Sequence, residues 1–186
     1  MDPTAQGLVN TRPKLICLIG AESTGKTTLA QSLAAHFGCP WVPEYLREFC
    51  ESRGRTPTPG EQSLILETQV IHESAALATA RTANAAYVFC DTTPLLTAVY
   101  SEFVFGDRSL YPRARALQAR YALTLLLLPD IAWVADAQRE GAHVQTPVTG
   151  LIMAELSALN LPTAEVSGHG PTRFASALHA IAALRD

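Results

Sequence analysis

Apolar positions along the 186-residue chain fall into short unbroken runs, set between longer stretches where they recur every three or four residues. The runs at 15–19, 88–90 and 125–128 are continuous rather than alternating, as in strands covered on both faces of a parallel sheet. The pattern predicts strands at 14–20, 40–43, 87–91, 123–129 and 163–167. It predicts helices at 26–37, 60–83, 94–103, 112–121, 147–159 and 171–184. Pro94, Pro112, Pro147 and Pro171 open four of them, where a missing N–H costs nothing. Strands alternating with helices imply an α/β, three-layer sandwich. Two stretches break the alternation. Residues 53–61, RGRTPTPGE, have the proline and glycine of a surface loop, and residues 130–146 have no strong period. A loop of that length in a compact domain is usually functional.

Composition narrows the class. Hydrophobic residues are 48% and charged residues 17%, a balance that favours a folded core over disorder. A net charge of −3 supplies no electrostatic reason for a nucleic-acid partner. No apolar run approaches the roughly 18–20 residues of a membrane span. Residues 1–13 lack a signal-peptide core and read as a flexible tail, so 14–186 are expected to form one cytoplasmic domain. Cys17, Cys39, Cys50 and Cys90 form no CxxC pair, which points to reduced thiols rather than a zinc site or a redox dithiol.

The first strand runs into GAESTGKT, residues 20–27, which matches G-x-x-x-x-G-K-[ST] with a strand before and a helix after. Loop N–H groups and the following helix N-terminus bind oxyanions. Gly20 and Gly25 permit close approach, Lys26 reaches the β/γ-phosphates, and Thr27 offers a hydroxyl to Mg²⁺. Glu22, Ser23, Thr24 and Thr28 complete the expected nucleotide-binding set. Four fixed positions give about a 1% chance of a random match in such a chain. Only two lysines exist, Lys14 and Lys26, so a lysine at this point looks demanded by chemistry. The motif implies ATP with Mg²⁺, but motors, switches and small-molecule kinases all share it. No NKxD-type base-reading motif of a switch GTPase occurs, and a motor would be larger.

A small kinase also needs an acceptor corner, a carboxylate and a lid. Glu44, in PEYLREF after the second strand, falls at the strand's carboxyl end where α/β proteins bind ligands. In a helix, Glu44, Arg47 and Glu48 would share a face; a solvated helix start with an ion pair is the plainer alternative. Asp91 closes the third strand, as a carboxylate for a Mg²⁺-bound water or an acceptor hydroxyl should. Thr92 and Thr93 add hydroxyls, and a helix N-cap is the competing use of this turn. Residues 130–146 carry Trp133, Asp136, Arg139 and His143. Arg139 could close as a lid over the phosphates, and Trp133 could stack on a base or pyridine ring. A surface loop with Trp133 docked on the core is the alternative there, and His143 reads as structural.

GAESTGKTTL, PEYLREF, CDTTPLLTAVY and AWVADAQRE, in this order and spacing, together resemble the ribosylnicotinamide kinase domain of the NAD-biosynthesis protein NadR and its stand-alone relatives. The resemblance spans about residues 14–185. It implies a P-loop kinase fold, a five-stranded parallel sheet of order 2-3-1-4-5, and γ-phosphate transfer from ATP to the 5′-hydroxyl of nicotinamide riboside, giving NMN. By position it carries over Lys26 and Thr27 as phosphate and Mg²⁺ ligands. Glu44 and Arg47 carry over as acceptor-site residues, Asp91 as the Walker-B-like carboxylate, and Asp136 and Arg139 as lid residues; Tyr45 and Trp133 are expected to bind the substrate beside them, and Asp91 to hold the metal with Thr27. Two departures stand out: the family's DTD is DTT here, so Thr93 replaces a carboxylate, and the proline before the tryptophan is Ala132. The adenylyltransferase and DNA-binding portions of full-length NadR have no counterpart in these residues, so this chain is not expected to make NAD alone. The expected partner is a small-molecule nucleoside, and apolar stretches of the 60–83 helix could support a homodimer. A non-catalytic ATP- or GTP-binding regulatory module, to which Thr93 lends support, and a kinase for another nucleoside are the alternatives.

Overall fold

The computed structural model describes residues 12–130 and 144–184. Its strands are β1 (Lys14–Ile19), β2 (Trp41–Val42), β3 (Tyr87–Asp91), β4 (Tyr121–Leu127) and β5 (Thr163–Val166). Between them run α1 (Lys26–Phe37), α2 (Tyr45–Arg53), α3 (Gln62–Thr82), α4 (Pro94–Phe105), α5 (Tyr111–Gln118), α6 (Gln145–Leu159) and α7 (Pro171–Ala182). All five strands are parallel in the order β2-β3-β1-β4-β5, as the family resemblance implies.

The continuous apolar strands are buried on both faces, as their composition requires. Ile16 and Leu18 of β1, with Phe89, Leu125 and Leu127, meet α1 and α7 on one side. Ile19 and Leu126 meet α3, α4, α5 and α6 on the other. Parallel strands of one sheet end on one edge, so the turns after β1, β2, β3, β4 and β5 converge there.

Element boundaries shift by a few residues from the sequence reading, and three places are informative. The helix left open for PEYLREF is present as α2: it starts at Tyr45 after Glu44 as N-cap and is closed by Gly54 in the left-handed region (φ 65°). Residues 59–61, expected as loop, form a 3₁₀ turn leading into α3, with Thr58 and Glu61 capping each other. Tyr121, expected at a helix end, begins β4, because its ring is buried and its hydroxyl donates to Glu73 Oε1 at 2.7 Å. The four cysteines are free, with Cys17, Cys50 and Cys90 buried.

That contact belongs to a buried polar cluster. Glu73 is fully buried, with Arg120 Nη1 3.3 Å from Oε2. Burial pushes the Glu73 carboxyl up to about 7, against the Tyr121 hydrogen bond and the Arg120 charge. An acid whose folded pKa is raised binds its proton more tightly in the fold. Stability therefore falls as pH rises from about 4.5 to about 7, by on the order of 3 kcal/mol. Glu73→Gln keeps an acceptor for Tyr121 and removes the titration. Melting from pH 5 to 8 is expected to show wild type losing stability relative to this variant; parallel curves would contradict the assignment.

Candidate functional site

The loop after β1 is shaped by what surrounds it. A Cβ on Gly20 would stand 2.7 Å from Leu127 O and 2.9 Å from Thr24 Oγ1, so only glycine lets the loop lie against β4. Ser23 (φ 57°) and Gly25 (φ 79°) both adopt left-handed backbone, the alternation that folds a chain into an anion nest.

The loop's carbonyls are tied to donors of the protein. Lys26 Nζ donates to Gly20 O (2.9 Å) and Ala21 O (3.0 Å), and Thr24 Oγ1 also donates to Ala21 O (2.8 Å). Gln145 Nε2 donates to Glu22 O (2.8 Å), Arg173 Nη1 to Thr24 O (2.6 Å), and Leu29 N to Gly25 O (3.0 Å). In a trans peptide the C=O and the next N–H point oppositely. Carbonyls turned into the protein therefore leave the loop's N–H groups for an anion.

Glu22, Ser23, Thr24, Gly25, Lys26, Thr27 and Thr28 form one wall of a cavity of about 240 Å³. Glu44 and Arg47 stand across it, so the structure joins the expected donor and acceptor groups in one space. Glu44 is the N-cap of α2 in extended backbone. Burial raises its carboxyl, reinforced by Asp91 and opposed by Lys26 and Arg47. Glu48 is exposed, so it does not share the face that Glu44 and Arg47 turn inward. Tyr45 is absent from the lining: its ring meets His72 edge-on at 5.4 Å, and its N–H donates to Gln69 Oε1 at 2.9 Å. The rest of the wall is largely apolar, with Leu46 and Cys50 of α2 and Leu96, Tyr100, Val104 and Phe105 of α4.

Asp91 is buried at the end of β3, and its Oδ2 accepts from Thr27 Oγ1 at 2.6 Å. Its Oδ1 is buried with no hydrogen bond among the described residues. Burial raises the carboxyl against the Thr27 hydrogen bond and the charges of Lys26 and Arg47. A hydroxyl beside an uncommitted carboxylate oxygen is a hard-oxygen pair of the kind Mg²⁺ takes, with water and phosphate as its other ligands. Among the described residues no cluster of three or more His, Cys, Asp or Glu forms a dedicated metal cage.

Thr92 has φ 84°, costly for a β-branched residue. Thr93 is fully buried, and its Oγ1 accepts from Leu95 N at 3.0 Å as the N-cap of α4. At this position the chain therefore has a capping side chain, as the proline after it predicts. Thr93→Ala is expected to cost about 1 kcal/mol, a melting shift of about 2–4 °C, and Thr93→Ser to restore it.

Trp133, Asp136, Arg139 and His143 lie outside the described residues. The ends of the segment expected as a lid are described. Asp130 Oδ2 accepts from Gly168 N at 2.6 Å, while Gln145 and Thr146 belong to α6, which starts two residues earlier than expected. Sequence reasoning missed Gln62, which opens α3, is 7% exposed and lines the cavity. It also missed Gln145 and Arg173, whose loop contacts span 123 and 149 residues and leave no local signal.

Residues 15–173 match the family described as AAA domain. Among solved structures, the chain is similar to the NadR protein in complex with NR, with TM-score 0.81 and 25% identity. That alignment covers 94% of this chain and 52% of the other. A second NadR structure, in complex with NAD and AMP-PNP, gives TM-score 0.78 at 23% identity, covering 93% and 49%. The chain thus spans about half the length of the NadR chains. A deoxyadenosine kinase from M. mycoides with bound dATP shares the fold at TM-score 0.61 and 13% identity, covering 91% and 100%. No curated protein matches the sequence significantly. Among the described residues no helix is long and apolar enough to cross a membrane.

Proposed function

The chain belongs to the AAA domain family, and from that premise we propose that it is an ATP-dependent phosphotransferase whose acceptor is nicotinamide riboside, phosphorylated on its 5′-hydroxyl. The observation that carries the reading is one cavity with Lys26 and the phosphate loop on one side and Glu44 with Arg47 on the other. The similarity to the NadR protein in complex with NR supports this choice of acceptor, and that to the complex with AMP-PNP supports ATP as the donor.

In this reading the loop N–H groups and Lys26 hold the β- and γ-phosphates. Thr27 and Asp91 would hold Mg²⁺, which when bound neutralises charge on the phosphate oxygens. Glu44, facing the cavity, takes the proton of the acceptor hydroxyl, and burial raises the carboxyl's affinity for that proton. Arg47 orients the acceptor. Arg139 is proposed to stabilise the transferring phosphoryl. No covalent intermediate is required, since phosphoryl transfer is mostly positioning and electrostatics.

The regulatory alternative draws on Thr93 standing where a carboxylate is expected; Thr93 caps α4, a role that does not itself require a nucleotide. The test is ADP release with ATP and Mg²⁺ across nicotinamide riboside, ribonucleosides and deoxynucleosides. Nicotinamide riboside is expected to give the highest kcat/KM. Preference for a deoxynucleoside would move the acceptor, and no turnover with any would end the kinase reading.

A further inference from the structure

Arg173 sits in the first turn of α7, where the helix dipole disfavours a cation, and it is 4% exposed. A buried arginine in that position needs its donors satisfied. Nε donates to Gly168 O at 2.6 Å, Nη1 to Thr24 O at 2.6 Å, and Nη2 to Leu128 O at 3.0 Å; Nη2 also pairs with the Asp130 carboxylate. These acceptors belong to the phosphate loop, the end of β4 and the turn between β5 and α7. Asp130 in turn accepts from Gly168 N. One planar fork thus joins three segments at the sheet's carboxyl edge.

The bond to Thr24 O has a directional consequence. It fixes the Thr24–Gly25 peptide with its carbonyl toward Arg173, and the Gly25 N–H must then point the opposite way. Gly25 lines the cavity and is the left-handed N-cap residue of α1 (φ 79°). The loop's own side-chain donors Lys26 and Thr24 bond other carbonyls, those of Gly20 and Ala21.

We propose that Arg173 is a positioning residue for the nucleotide, aligning the Thr24–Gly25 peptide so that the Gly25 N–H meets a phosphate oxygen. The inference rests on the donor half of the proposed function and is independent of the acceptor. Arg173→Lys keeps the charge but cannot reach four acceptors from one point. Loss of one charge-assisted hydrogen bond in the scaffold of the cradle is expected to weaken ATP binding about tenfold.

The experiment is calorimetric titration of the full chain with ATP, below the melting temperature of each variant, alongside KM for ATP and for the acceptor. Arg173→Lys is expected to raise the ATP Kd and KM about tenfold and leave the acceptor KM within twofold. A folded Arg173→Lys protein that melts lower yet binds ATP with wild-type affinity would assign the residue to stability alone and overturn the proposal. Should that variant fail to fold, Asp130→Asn removes the charge at the other end of the fork. A several-fold rise in ATP Kd supports the proposal, and unchanged affinity overturns it. Wild-type protein that binds ATP but phosphorylates no nucleoside would end the acceptor assignment and leave the test of Arg173 standing.

Discussion

Lys26→Ala is expected to lower kcat/KM for phosphoryl transfer by about a thousandfold or more, with little change in melting temperature. Lys26 is half-buried, and its ammonium is held by Gly20 O and Ala21 O at 2.9 and 3.0 Å. Both acceptors are backbone groups of the loop it serves, so the cation is positioned before any nucleotide arrives. That preorganisation is where the expected rate loss originates: a donor already fixed at the charge needs no reorganisation during reaction. The fold should tolerate the change, since the side chain fills no core position and Ala21 O keeps the Thr24 hydroxyl as donor. Steady-state kinetics with ATP and the best acceptor, beside thermal melting, decides it. A Lys26→Ala enzyme within tenfold of wild type would mean that the loop amides carry the phosphate charge alone.

Some of this site is legible in local patterns and some is not. GAESTGKT announces the cradle because every part of it, strand, turn and helix start, is contiguous, and the strand order follows once the family is recognised. Asp91 and Glu44 can be placed because each ends a strand, and strand ends of a parallel sheet share one edge. Glu48 escapes this logic, since helical spacing from Glu44 does not say which side of α2 the fold covers; the structure leaves it exposed. Thr93 is legible as a cap from the proline that follows it, yet alignment with an acidic family residue suggests lost chemistry instead. Gln145 and Arg173 are invisible for a stronger reason. Their partners in the phosphate loop are main-chain carbonyls, which every residue has, so those contacts leave no mark in residue types. Tyr121 similarly takes its place in β4 from a buried carboxylate 48 residues away, and helical periodicity around it carries no trace of that demand.

Asp91→Asn is expected to lower kcat by about 10²–10³-fold while leaving the protein folded and at least as stable. The amide matches the carboxylate in volume, and its oxygen can still accept from Thr27 Oγ1. Burial already opposes ionisation of Asp91, so the neutral side chain removes an electrostatic cost to the fold. What the variant loses is a negative hard oxygen beside Thr27, and the second oxygen that is buried without a hydrogen bond. The discriminating measurement is ATP affinity with and without magnesium. Wild type is expected to gain from the cation and Asp91→Asn to lose that gain. Glu44→Gln should also lower kcat, yet keep the magnesium dependence, because Glu44 lines the acceptor side while Asp91 reaches the cavity through Thr27. Two variants with the same magnesium profile would mean that the carboxylates act as one unit, and the division into a base and a metal ligand would fall.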